Sequence, residues 1–216
     1  MFFSSHLKEI FDLFLHLDVY LASFFNHYGS ATFILLFVVI FCETGLIITP
    51  FFPGDSLLFA AGSILATSPL SIYGLIASLI AAAYLGDHTN YWIGRILGRR
   101  AVEKWFSDTH PVLKLRYLRN TESFYQRHGL LAIFLARFIP IIRTFCPFIA
   151  GLAKMPYLVF ASISLVSATF WVTLITYAGY RFGAIPVVKA HFSWVVLGII
   201  LISILPLLRA IFRRRF

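Results

Sequence analysis

Two apolar segments of this chain are broken by proline and carry ionisable residues, and that combination limits its possible folds more than any other feature. The first reads E-T-G-L-I-I-T-P-F-F-P-G-D and contains Glu43 and Asp55. The second reads A-R-F-I-P-I-I-R-T-F-C-P and contains Arg137 and Arg143. Apolar runs cover about 31–49, 51–66, 70–94, 130–150, 157–180 and 193–212. A transmembrane helix needs about 20 apolar residues, so the chain has room for about four spans plus shorter elements. An ionised side chain at the bilayer centre costs roughly 2.5–3.5 kcal/mol on insertion scales, and four unpaired ones would cost on the order of 10 kcal/mol. Residues of this kind face a protein interior or a polar cavity, which makes these four a candidate site.

The chain is 60% apolar and only 12% charged, about half the charge of an ordinary soluble domain. This predicts an all-α integral membrane protein with no room for a soluble enzyme domain. The net charge of +9 does not point to nucleic acid, because the cations lack aromatic-stacking or groove-reading context and sit at membrane edges. Eight of the eighteen Lys and Arg fall between Arg95 and Arg127, and four more lie in the tail from Arg209 to Arg215. The positive-inside rule places both regions in the cytoplasm. Cys42 and Cys146 sit inside apolar segments at no metal or disulfide spacing, and they read as small apolar filler. No metal, cofactor or catalytic residue is expected.

Residues 1–28 interleave Lys8, Glu9, Asp12, His16 and Asp18 with Phe and Leu. That pattern differs from a cleavable signal peptide and fits either an amphipathic helix at the interface or the first segment of the bundle. Residues 29–212 form the membrane domain, and 213–216 a basic tail. An even number of crossings must separate the cytoplasmic centre (99–128) from the cytoplasmic C-terminus, yet three apolar runs lie between them. One run therefore does not cross. Proline removes a backbone donor, and irregular backbone at membrane depth is tolerated only inside protein or beside a water-filled cavity. The run near 130–150, with Pro140 and Pro147, is accordingly expected to be a re-entrant hairpin. The short run near 50–66, opened by Pro50, Pro53 and Gly54, is its counterpart from the opposite face. The halves 29–98 and 129–212 then form an inverted-repeat bundle with two facing hairpins, and Gly/Pro-interrupted segments in corresponding positions point to a transporter site.

Glu43 and Asp55 are suited to taking up and releasing protons, because a carboxylate at membrane depth is costly when charged and cheap when neutral. Arg137 and Arg143 present planar donor forks that fit a phosphate. The bare alternative is that the four pair with one another and only hold the hairpins together. A second polar cluster, L-G-D-H-T-N-Y-W-I-G-R, carries Asp87, Asn90 and Arg95. In it Asp87 is equally suited to packing, a salt bridge or proton transfer. Gly86, Gly94 and Gly98 would let a neighbouring helix approach closely.

E-T-G-L-I-I-T-P-F-F-P-G-D-S-L-L-F-A-A-G, then G-D-x-x-N-Y-x-I-G-R, then F-Y-x-x-H-G, then A-R-F-I-P-I-I-R-T-F-C-P-F-I-A-G together resemble the bacterial DedA family, the VTT or SNARE-associated domain. The resemblance covers roughly residues 20–210. It implies a multi-pass protein of the bacterial inner membrane, dependent on the proton motive force and needed for envelope integrity, with undecaprenyl phosphate as the lipid carried. It also implies that Glu43 and Asp55 are the family's essential acids and Arg137 and Arg143 its essential arginines. The expectation is a proton-coupled transporter or flippase for a polyprenyl phosphate or another anionic lipid, with lipid and protons as partners and homo-oligomerisation left open. A small-ion antiporter fits the same four residues. A lipid-modifying enzyme would need a nucleophile and a positioned base, and the adjacent Asp87 and His88 splay apart on a helix.

Overall fold

The computed structural model describes residues 17–46, 54–105, 131–137 and 139–183, with positions 185, 186, 188, 194, 195 and 198 beyond them. Among these residues every regular element is helical. The expected breaks at Pro50 and Pro53, the segment 1–16, most of the basic centre and the tail lie outside the described residues.

Helix α1 (Leu17–Tyr28) passes through a 3-10 turn at Gly29–Ala31 into α2 (Thr32–Gly45). Gly29 takes a left-handed φ of 54° there, a conformation that costs glycine little. Leu21–Gly45 and Tyr157–Phe182 are the described helices long and apolar enough to cross a bilayer. Leu21 and Phe25 of α1 are buried in the core, so this part of the N-terminal segment packs within the bundle. Helix α3 (Gly54–Leu65) follows, then α4 (Ile72–Trp105), the short α5 (Leu131–Ala136), α6 (Pro140–Leu152) and α7 (Tyr157–Phe182). At 1.5 Å per residue α3 and α6 extend roughly 20 Å, well short of the ~30 Å hydrocarbon thickness.

The run near 130–150 is thus two helices with a break before Pro140. Proline suits the first turn of α6, where no intrahelical donor is needed. Pro147 behaves differently from the expectation that it breaks the chain: it sits inside α6. Its missing N–H deprives the Arg143 carbonyl, one turn earlier, of its usual helical donor without ending the helix.

Helix α4 packs against α2 and α6, while α3 packs chiefly on α7. Two glycine contacts in each pairing make α3–α7 and α4–α6 alike. A Cβ on Gly62 would collide with the Thr176 carbonyl, and one on Gly179 with the Phe59 carbonyl. A Cβ on Gly151 would collide with the Tyr91 carbonyl, and one on Gly94 with the Phe148 carbonyl. Phe59 and Gly62 belong to F-A-A-G, and Phe148 and Gly151 to F-I-A-G. Thr176 precedes Gly179 by the same spacing as Tyr91 precedes Gly94. Each short helix therefore presses its backbone onto the long helix of the other half at corresponding residues.

Gly62→Ala and Gly151→Ala are expected to destabilise by about 1–3 kcal/mol each, because the new methyl meets rigid backbone. Gly74 has only ordinary contacts around a notional Cβ, so Gly74→Ala should be neutral. Thermal unfolding in detergent would separate the three, and equal stability of all would contradict the close approach.

Candidate functional site

Glu43 lies in the last turn of α2 (Thr32–Gly45), with its side chain at the start of α3. Its carboxylate lies against Gly54, where a Cβ would displace it, so the glycine makes room for an acid at a helix N-terminus. The partial positive charge of that terminus favours anions. Asp55 occupies the same first turn. Arg143, one turn into α6, reaches both acids: Nη2 donates to Glu43 Oε1 and Nη1 donates to Asp55 Oδ1 at 3.0 Å. Glu43 is 1% exposed and Arg143 8%, while the Asp55 side chain keeps 18% of its surface, so this is a one-cation, two-acid cluster with a buried pair and a partly buried second acid. Leaving any member without its partners would carry most of the cost of an isolated buried charge.

Arg137 follows α5 at the break. It does not join that cluster. Its Nη1 donates to Asp87 Oδ2 at 2.6 Å and to Ser167 Oγ at 3.3 Å, and Ser164 donates to the same Asp87 oxygen at 2.6 Å. Asp87 from the second polar cluster is therefore the main ionic partner of Arg137. The two ion-pair groups adjoin a cavity of about 10 Å³ lined by Thr44, Asp87, Arg137, Arg143, Cys146 and Pro147, which is room for about one water. Nε and Nη2 of Arg137 and Nε of Arg143 are buried and lack hydrogen-bond partners among the described residues. Buried polar atoms of this kind are rare and point to a partner or a movement that completes them.

Asn90 ties the broken ends together. Its Nδ2 donates to the Thr144 carbonyl of α6 at 2.6 Å and to the Thr44 carbonyl of α2 at 3.3 Å. Arg95 stands apart from Asp87 and Asn90. It donates to the Tyr91 hydroxyl at 2.7 Å and the Met155 carbonyl at 3.3 Å, fixing the α6–α7 turn to α4. His88 turns its Nδ1 to the Tyr84 carbonyl, away from the ionic contacts of Asp87. Cys42 and Cys146 are not in a disulfide. Among the described residues no three His, Cys, Asp or Glu are placed to hold a metal ion.

Residues 52–181 match the VTT domain. The chain is also 46% identical over 200 residues to Protein DedA of Escherichia coli, covering 91% of this chain and 90% of that protein. The chain belongs to the VTT-domain, or DedA, family. Further relatives include Inner membrane protein YghB of Escherichia coli, 35% identical over 82% of this chain and 80% of its own length. An uncharacterized membrane protein of Mycobacterium tuberculosis is 38% identical over 84% and 79%. No solved structure matches the chain. The VTT match includes Asp55, Asp87, Arg137 and Arg143, whereas Glu43 precedes it.

Within this VTT protein, sequence reasoning missed Ser164, Ser167 and Trp171 on α7. All three are buried, and they recur at helical spacing along a mainly apolar span. That polar-and-aromatic row was the available signal.

Proposed function

We propose that this membrane protein carries an anionic lipid across the bacterial inner membrane with proton coupling, the best-fitting lipid being a polyprenyl phosphate such as undecaprenyl phosphate. The observation that carries the proposal is Arg143 shared by Glu43 and Asp55, beside Arg137, with guanidinium nitrogens on both arginines that have no partner among the described residues. In the arrangement described, the carboxylates hold the arginines and the cavity is too small for a phosphate. Protonation of the acids removes their claim on Arg143. The guanidinium is then free to bind a phosphate, whose geometry matches its fork. Loss of the proton would return the arginine to the acids and release the head. The isoprenoid tail stays in lipid throughout, so only a narrow polar path is required.

The matched glycine contacts of α3–α7 and α4–α6 support an inverted repeat, with α3 and the α5–α6 pair as the facing re-entrant hairpins. Exchange between two equivalent packings is the usual basis of alternating access. The name of YghB as an inner membrane protein agrees with this location. Lysine and arginine clustering puts the basic centre and the C-terminus in the cytoplasm, and labelling of a cysteine placed at Ser107 should therefore need a reagent that crosses the membrane.

A small-ion antiporter remains the rival reading, favoured by the fact that Arg143 already satisfies two acids without a lipid. No hydrolytic or acyl-transfer chemistry is proposed, since Asp87 and His88 serve separate partners. Proteoliposomes carrying labelled undecaprenyl phosphate, with and without an imposed pH gradient, distinguish the readings. Gradient-dependent movement of the lipid is expected; ion exchange with stationary lipid would establish the antiporter instead.

A further inference from the structure

Trp171 is 1% exposed, and three charged side chains meet its indole. Nε1–H donates to Asp55 Oδ1 at 3.0 Å, the same oxygen that accepts from Arg143 Nη1. The Arg143 guanidinium carbon lies 4.9 Å from the ring centroid, and that of Arg137 lies 5.4 Å from it. One ring thus borders both ion-pair groups, although each arginine has a different acid. A buried indole N–H needs an acceptor in any fold, but a tryptophan that merely fills space needs neither guanidinium at its ring.

Two physical consequences follow. A guanidinium that leaves one anion for another passes through a moment without an ionic partner, and in a desolvated site the face of an indole offers it an attractive surface that depends on neither proton nor ligand. Asp55 also keeps a donor when Arg143 departs, because a protonated carboxyl still accepts a hydrogen bond from N–H. We propose that Trp171 is the positioning residue of this site: an indole along which Arg143 passes from carboxylate to lipid phosphate beside Arg137, while its N–H holds Asp55 in place. This rests on the lipid-phosphate reading above.

The test uses the full chain in detergent, with Trp92, Trp105 and Trp194 replaced by Phe so that Trp171 is the sole tryptophan. Farnesyl phosphate is the probe and farnesol the control, and binding is followed in parallel with radiolabelled farnesyl phosphate. Saturable binding of the phosphate should change Trp171 emission along the same curve, and farnesol should leave it unchanged. In otherwise unaltered protein, Trp171→Phe keeps a ring but loses the N–H, and Trp171→Leu loses both. Gradient-driven lipid transport should fall in the order wild type, Phe, Leu. The half-saturating lipid concentration should rise by about tenfold in the Leu variant, in keeping with two lost cation–π contacts. Poor accumulation of the Leu variant would leave the Phe variant and the emission signal to decide. Saturable binding with silent Trp171 emission, or wild-type transport by Trp171→Phe together with Trp171→Leu, overturns the proposal and leaves the lipid reading intact. Absence of farnesyl phosphate binding defeats the lipid reading, and this proposal with it.

Discussion

Arg143→Ala should reduce the amount of protein in the membrane to a small fraction of wild type, while Arg143→Lys should accumulate but transport at least about tenfold more slowly. Alanine leaves Glu43 and Asp55 facing each other without their common cation, and breaking a buried ion pair costs about 3–5 kcal/mol. That is a large part of a typical stability of about 5–15 kcal/mol. Lysine restores the charge and removes that penalty. It cannot present two fixed nitrogens to two different acids, nor make a two-pronged contact to phosphate, and hydrogen bonds to charged groups are worth about 1.5–3 kcal/mol each. Adding Glu43→Gln to Arg143→Ala removes one of the stranded charges and should recover part of the lost protein. Immunoblots of membranes combined with transport in proteoliposomes check all three. Normal accumulation of Arg143→Ala would mean that the ion pairs are not buried as described.

The second large effect is on coupling. Glu43→Gln and Asp55→Asn each mimic the protonated acid and keep an oxygen that can accept from Arg143. Both variants should insert and accumulate, and both should lose gradient-driven movement of lipid phosphate. A purely structural role predicts the reverse pattern: weaker accumulation, since Arg143 loses part of its charge compensation, with transport per molecule unchanged. Measuring protein level and transport in the same preparations separates the two. Normal transport by both variants would refute proton carriage by these acids.

The charged residues were legible because their cost in a bilayer is large and local: Glu43, Asp55, Arg137 and Arg143 each required a partner whatever the fold. Their pairing was not legible. Arg137 sits beyond a helix break, and its choice of Asp87 over Glu43 or Asp55 depends on α4 and α7 flanking that break. The short helices were visible in the proline positions, but proline is tolerated in the first turn and also, inside a protein, in a helix interior. Pro140 therefore starts α6, whereas Pro147 lies within it. The glycine spacing marks Gly94 as a site of close approach, and it lies on the Phe148 carbonyl. The recurrence of F-x-A-G in both halves went unread because four residues carry little signal until both copies are seen against equivalent backbone. Trp171 was hidden by its company, since 24 Phe and 10 Tyr make one more aromatic in an apolar span unremarked.

In the proposed mechanism phosphate and carboxylate compete for the same guanidinium groups, and a proton settles the competition. Calorimetry of farnesyl phosphate binding at pH 8, in buffers of different ionisation enthalpy, reads that proton as exchange on binding. A phosphate monoester, with a second pKa of about 6, is already doubly ionised at that pH, so protons taken up must come to the protein. Net proton uptake is expected with binding, diminished in Glu43→Gln and in Asp55→Asn. Saturable binding with no proton uptake in the wild type would contradict it.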